Sequence, residues 1–109
     1  MLNVLLHGCN GKMGQVITGL VKADPQIEIV AGIDTWQGIQ NDYPVFANLK
    51  ECNVEAEVVI DFSNASAVDG LLEACAKKNL PVVLCTTGLS EEQLQKVEET
   101  SKKVAVLRS

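Results

Sequence analysis

Apolar residues along this chain fall into two rhythms. Short unbroken runs recur at Val4-Leu5-Leu6, "IEIVAGID" (27–34), "AEVVIDF" (56–62), "PVVLCT" (81–86) and "VAVL" (104–107). Between them the apolar positions spread out to helical spacing. Met13, Val16, Ile17, Leu20 and Val21 stand at i, i+3, i+4, i+7 and i+8, and Val68, Leu71, Leu72 and Cys75 share one face of a second segment. A strand with one wet face alternates apolar and polar residues, so unbroken runs mark strands buried on both faces. Such strands alternating with amphipathic helices predict an α/β fold. The expected architecture is a Rossmann-type, doubly wound, mainly parallel sheet with right-handed crossovers.

Punctuation residues set the boundaries. The first strand covers about 2–7 and its helix about 12–23, ended by Asp24-Pro25 because the residue before proline is driven out of the α region. Residues 35–53 are loop-rich, with at most a short strand or helix near Val45–Glu51. Pro81 opens its strand, where a missing N–H does least harm. Ser90-Glu91-Glu92-Gln93 is a capping box opening a helix that runs to about Lys103. The helix stripes are expected to close over the sheet.

Composition narrows the function classes. With 109 residues, 47% of them apolar, the chain suffices for one domain with one core. No apolar run approaches the roughly 20 residues of a membrane span. The opening MLNVLLHG has neither a basic start nor a small-residue cleavage site, so no signal peptide is expected, and Cys75 and Cys85 read as reduced core residues of a cytoplasmic protein. A net charge of −5 argues against a broad nucleic-acid surface. The four cysteines, Cys9, Cys52, Cys75 and Cys85, form no C-x-x-C and accompany a single histidine, so neither zinc nor a disulfide framework is expected.

The chemically distinctive residues fall at strand ends, where parallel sheets of this kind bind ligands. "HGCNGKMG" (7–14) puts Gly8, Gly11 and Gly14 three apart between a strand and a helix. The first glycine permits a tight turn, the second lets a pyrophosphate approach the backbone, and the third lets helix pack on strand. The helix N-terminus then offers N–H groups to the anion. Asp34 ends the next strand, placed to accept hydrogen bonds from ribose hydroxyls. The spacing is G-x-x-G-x-x-G rather than the commoner G-x-G-x-x-G, and a purely structural turn is the competing reading. Lys12 reads as a solvated lysine or as a cation beside phosphate. Asp61 could cap a helix or hydrogen-bond loop N–H groups beside a ligand, and reads as structural because short polar residues at such strand ends satisfy the backbone. His7 reads as satisfied in its turn rather than catalytic. Thr86-Thr87-Gly88 offers hydroxyls at a further strand end, and Trp36 covers either an adenine or its own loop. The chain ends just after a strand, as a cofactor half without a substrate domain would.

All 109 residues resemble the N-terminal domain of the bacterial 4-hydroxy-tetrahydrodipicolinate reductase (dihydrodipicolinate reductase) family. "GCNGKMG" resembles its G-x-x-G-[RK]-M-G, "VVIDFS" its V-[IV]-D-F-[ST], and "CTTGLSEEQ" its G-T-T-G segment. The resemblance implies that Gly8, Cys9, Asn10, Gly11, Lys12 and Met13 hold the pyrophosphate of NADH or NADPH. It implies that Asp34 holds the ribose and that Phe62 and Ser63 flank the cofactor. Cys85, Thr86 and Thr87 would lie at the nicotinamide end, and Ser109 would begin a segment resembling A-x-N-[FM]-S. Two positions depart from the family: Cys85 replaces a usual glycine, and Asn64 stands where some members carry arginine.

The family's H-H-x-x-K catalytic segment has no counterpart here. The implied activity is hydride transfer in lysine and diaminopimelate biosynthesis, with a dicarboxylate substrate bound only with a further domain. That domain would also build most of a homotetramer. The chain alone is expected to bind dinucleotide weakly and catalyse nothing. Two other readings remain: the cofactor domain of a homoserine or aspartate dehydrogenase, against which "CTTG" and "DFS" argue, and a non-catalytic nucleotide-sensing domain.

Overall fold

The computed structural model describes residues 2–108; Ser109, and its expected cofactor role, lie outside the described residues. Six strands form one sheet in the order β3-β2-β1-β4-β5-β6. They are β1 Leu2–His7, β2 Ile27–Ile33, β3 Val45–Phe46, β4 Val58–Asp61, β5 Val82–Leu84 and β6 Val106–Arg108. Every pairing is parallel. The helices are α1 Lys12–Lys22, α2 Ala65–Lys78 and α3 Glu91–Ser101, with a 3-10 turn over Leu49–Glu51. The expected α/β architecture is therefore the observed one. The stretch near Val45–Glu51 holds both a short strand and a helical turn, the latter begun by Asn48, whose side chain accepts from the Glu51 N–H at 3.0 Å.

The strand order follows from the chain's path. β1 lies centrally; the chain winds outward through β2 and β3, then crosses back to β4 and winds the other way. The crevice between those two directions opens at the carboxyl ends of β1 and β4. Register puts the strand ends in one row: His7 lies opposite both Ile33 and Asp61, and Asp61 lies opposite Leu84.

The core lies on the α2/α3 face. Leu5, Val59, Val68, Leu71, Leu72, Cys75 and Leu84 are buried there in one cluster. Right-handed crossovers put α1 on the opposite face. Here the structure corrects an expectation. Met13, Val16 and Leu20 of α1 are 50%, 52% and 64% exposed, and Gly14 is the helix's buried residue. Periodicity identifies which residues share a face, but not whether anything covers it.

The capping box of α3 is present in full. Ser90 Oγ accepts from Gln93 N–H at 3.2 Å, and Gln93 Oε1 accepts from Ser90 N–H at 3.0 Å. Gln93 Nε2 also donates to the Ala65 carbonyl at 2.6 Å, tying the starts of α2 and α3 together. Ser90→Ala is expected to lower stability by about 1 kcal/mol, read as a shifted urea midpoint with unchanged slope.

Candidate functional site

A cleft of about 700 Å³ opens at the carboxyl ends of β1, β2 and β4. One wall is the turn between β1 and α1. Gly8 sits at φ +83°, and a Cβ there would lie 2.9 Å from the Phe62 and Ser63 backbone. A Cβ on Gly14 would lie 2.2 Å from the Gly8 carbonyl oxygen and 2.6 Å from Cys9 backbone atoms. These two glycines let turn, helix and the end of β4 meet. Gly11 differs: a Cβ there meets only the Gly8 carbonyl oxygen, at 3.4 Å. No protein atom crowds that side of the turn, and Gly11 lines the cleft.

Gly11 is also the N-cap of α1, with no side-chain cap and no acidic residue in the first turn. α3, by contrast, has its N–H groups met by Ser90 and carries Glu91 and Glu92. The α1 start thus has the partial positive charge of a helix N-terminus without a side chain to answer it.

Asp34, just beyond β2, faces the turn. Its carboxylate accepts from Asn10 N–H and from Trp36 N–H, both at 3.0 Å. A carboxylate has about four acceptor sites, so these two bonds fix its orientation and leave capacity for hydroxyl donors. Asn10 is buried; its Nδ2 donates to the Trp36 carbonyl at 2.7 Å, and its Oδ1 accepts from Asn41 at 3.0 Å. Its side chain pins the turn to the 34–41 loop. Cys9 turns inward: a Cβ on Gly32 would lie 2.5 Å from its Sγ. Burial first, then the Asp34 charge, push its thiol up to about 11. It is a small core residue and does not line the cleft.

Below the cleft floor, buried Asp61 collects donors from three elements. His7 Nδ1 lies 2.8 Å from Oδ1, which also accepts from Ser63 N–H at 3.1 Å and Ser63 Oγ at 2.5 Å. Thr86 Oγ1 donates to Oδ2. Burial pushes the Asp61 carboxyl up, but the hydrogen bonds from His7, Ser63 and Thr86 outweigh it and hold it below the usual carboxylate range. The charged Asp61 can only accept, so His7 Nδ1–H donates the hydrogen bond to it. His7 is not satisfied within its own turn, as its sequence context suggests; its partner lies across the sheet on β4.

The structure brings Gly8, Asn10, Gly11, Asp34, Phe62 and Ser63 to one cleft. Lys12 and Met13 stand exposed in the first turn of α1. Cys85, Thr86 and Thr87 follow β5; Thr86 reaches the cleft residues through Asp61, while Thr87 is exposed. Sequence reasoning missed the far wall, made by Ala67, Gly70 and Ala74 of α2 with Lys50 of the 3-10 turn. Its signal was legible: small residues at i, i+3 and i+7 leave room along one helix face. Trp36 lines the cleft and also lies over its own loop, where a Cβ on Gly38 would come within 2.7 Å of its ring.

Comparisons with known proteins agree with this geometry. A family profile described as "Dihydrodipicolinate reductase, N-terminus" matches residues 2–109. The 4-hydroxy-tetrahydrodipicolinate reductase of Caldanaerobacter subterraneus subsp. tengcongensis is 50% identical over 109 residues, covering 100% of this chain and 43% of that protein. Among solved structures, a dipicolinate-bound dihydrodipicolinate reductase from Paenisporosarcina sp. TG-14 superposes with a TM-score of 0.80 at 25% identity, over 100% of this chain and 47% of that one. Homoserine dehydrogenase from S. aureus superposes at 0.81 with 16% identity, over 99% of this chain and 32% of that one. The last is a likeness of fold alone. The chain thus spans less than half the length of these relatives.

Proposed function

The chain belongs to the dihydrodipicolinate reductase N-terminus family, and from that premise we propose that it is the cofactor-binding segment of an NAD(P)H-dependent reductase. The reaction proposed for the whole protein is conversion of 4-hydroxy-tetrahydrodipicolinate to tetrahydrodipicolinate in lysine and diaminopimelate biosynthesis. Residues 1–109 form the dinucleotide domain in this reading. The dicarboxylate substrate is held by a further domain, and the enzyme works as a cytoplasmic homotetramer. The homoserine dehydrogenase reading has only the likeness of fold behind it.

The observation that carries the proposal is the open face of Gly11. A Cβ would clash at Gly8 and Gly14, where glycine serves packing, and not at Gly11, where a pyrophosphate can approach the peptide backbone. Beside it lies a helix start with no side-chain cap. Pyrophosphate fits there, against the bare Gly11 backbone whose N–H is held by the Gly8 carbonyl at 3.2 Å, with Lys12 and Met13 supplying backbone N–H groups and the Lys12 side chain a nearby cation. Cys9 and Asn10 shape the turn. Asp34 accepts the ribose hydroxyls, Phe62 and Ser63 line the crossing, and Cys85, Thr86 and Thr87 face the nicotinamide end. When bound, the dinucleotide supplies the hydride; the protein supplies position and electrostatics.

Asp34 also bears on the choice between cofactors. A carboxylate beside the ribose repels the added 2′-phosphate of NADPH, which carries about −1.5 to −2 charge. Use of both cofactors is expected, with at most a modest NADH preference, since Lys12 offsets part of the repulsion. Calorimetric titration of the chain with NADH and NADPH tests the proposal; binding of neither would overturn it. Asp34→Ala is expected to weaken NADH about tenfold and NADPH less. An unchanged ratio of the two dissociation constants would remove Asp34 from the ribose.

A further inference from the structure

His7 is more than nine-tenths buried, and one of its two ring nitrogens is committed. Nδ1 lies on the Asp61 carboxylate at 2.8 Å. Nε2 makes no hydrogen bond to any described residue. Yet among the described residues no buried side-chain nitrogen or oxygen lacks a partner. Nε2 must therefore reach solvent, and the space that His7 borders is the nucleotide cleft. A buried ring, held by a fully buried carboxylate, thus turns one polar atom into the cleft beside Gly8.

The chemistry of that atom follows from its partner. Asp61 accepts the hydrogen of Nδ1, and an imidazole with its one hydrogen on Nδ1 carries a lone pair on Nε2. Two carboxylates stand on the neighbouring strands: Asp61 at the end of β4 and Asp34 just past β2. Their charge disfavours phosphate at this spot and suits hydroxyl donors. The phosphates have a better place at the α1 start. We propose that His7 Nε2 is a second acceptor for the adenosine ribose hydroxyls, working beside Asp34, with Asp61 as the residue that positions it. This rests on the dinucleotide reading above and adds to it a contact for one half of the cofactor.

His7 is the only histidine in the sequence, so heteronuclear NMR of the imidazole reports this ring without ambiguity. The unmodified 109-residue chain is titrated with NADH, with ADP and with nicotinamide mononucleotide. NADH and ADP are expected to move the Nε2 resonance while Nδ1 stays on Asp61; nicotinamide mononucleotide is expected to leave both nitrogens in place. His7→Asn can still donate to Asp61 but does not reach the cleft, and is expected to weaken ADP about five- to tenfold. The ADP titration of the unmodified chain stands even if that variant folds poorly. Binding of ADP with Nε2 unmoved, or movement of Nε2 by nicotinamide mononucleotide alone, would overturn the His7 assignment and leave the dinucleotide reading standing. Failure of both NADH and ADP to bind would overturn the two together.

Discussion

Gly14→Ala is expected to destabilise the chain by about 3 kcal/mol, at the upper end of ordinary overpacking, and to remove measurable NADH binding. The new methyl would lie 2.2 Å from the Gly8 carbonyl oxygen and 2.6 Å from two Cys9 backbone atoms. All three are main-chain atoms of the turn, so no side chain can swing aside. Helix and turn must separate, and the α1 start leaves the position that faces the cleft. Intrinsic propensity argues the other way, since alanine is favoured over glycine inside helices by about 1 kcal/mol. The same helix supplies a control. A Cβ on Gly19 meets nothing within 4 Å, so Gly19→Ala is expected to stabilise by up to about 1 kcal/mol. Urea unfolding and NADH titration of both variants give the test. Equal effects at the two positions would show that close approach at Gly14 is not what requires glycine.

The second large effect is expected at Asp61. Asp61→Ala leaves His7 Nδ1, the Ser63 N–H and hydroxyl, and the Thr86 hydroxyl without their shared acceptor. Removing one partner from a buried charged network costs about 3–5 kcal/mol. The acid limb should change with it. The native carboxyl is held below its ordinary value by hydrogen bonds that outweigh its burial. A group whose pKa is lower folded than unfolded adds stability above its unfolded pKa, about 3.9 for aspartate. That stability is lost as pH falls through the folded value. The unmodified chain should therefore lose it progressively below about pH 5, and the alanine variant should show a flatter acid limb. Urea midpoints across that range decide the matter; parallel curves would mean that the network adds nothing to the acid sensitivity of the fold.

Much of this molecule could be read from short stretches of sequence. Unbroken Val, Ile and Leu runs predict two-sided strands; β2, β4 and β5 lie within the stretches those runs mark, and β1 extends past Val4–Leu6 at both ends. The capping box at Ser90 is a four-residue pattern and forms as such. Strand ends were read less well: β4 and β5 are shorter than their apolar runs, and the last strand begins at Val106 rather than 104. Apolarity continues past the point where a neighbouring strand stops pairing. The glycine turn was legible because its demands are local and steric. A positive φ at Gly8 and a close helix approach at Gly14 both arise within seven residues.

What sequence alone determined, then, is which segments extend, which coil, and where the chain must turn tightly, because neighbours within a few residues set those preferences. Only the tertiary structure decided what each side chain meets. Cys9 and Asn10 sit inside the glycine motif, yet one packs under Gly32 and the other bonds to the Trp36 carbonyl. The apolar face of α1 is regular in sequence, yet in the fold Met13, Val16 and Leu20 are exposed and Ile17 and Val21 only half-buried. His7 and Asp61 lie 54 residues apart, and nothing near either one names the other. Their contact exists because β1 and β4 pair in parallel with those two residues in register. Such register is a property of the assembled sheet, set by long-range pairing and burial rather than by local preference.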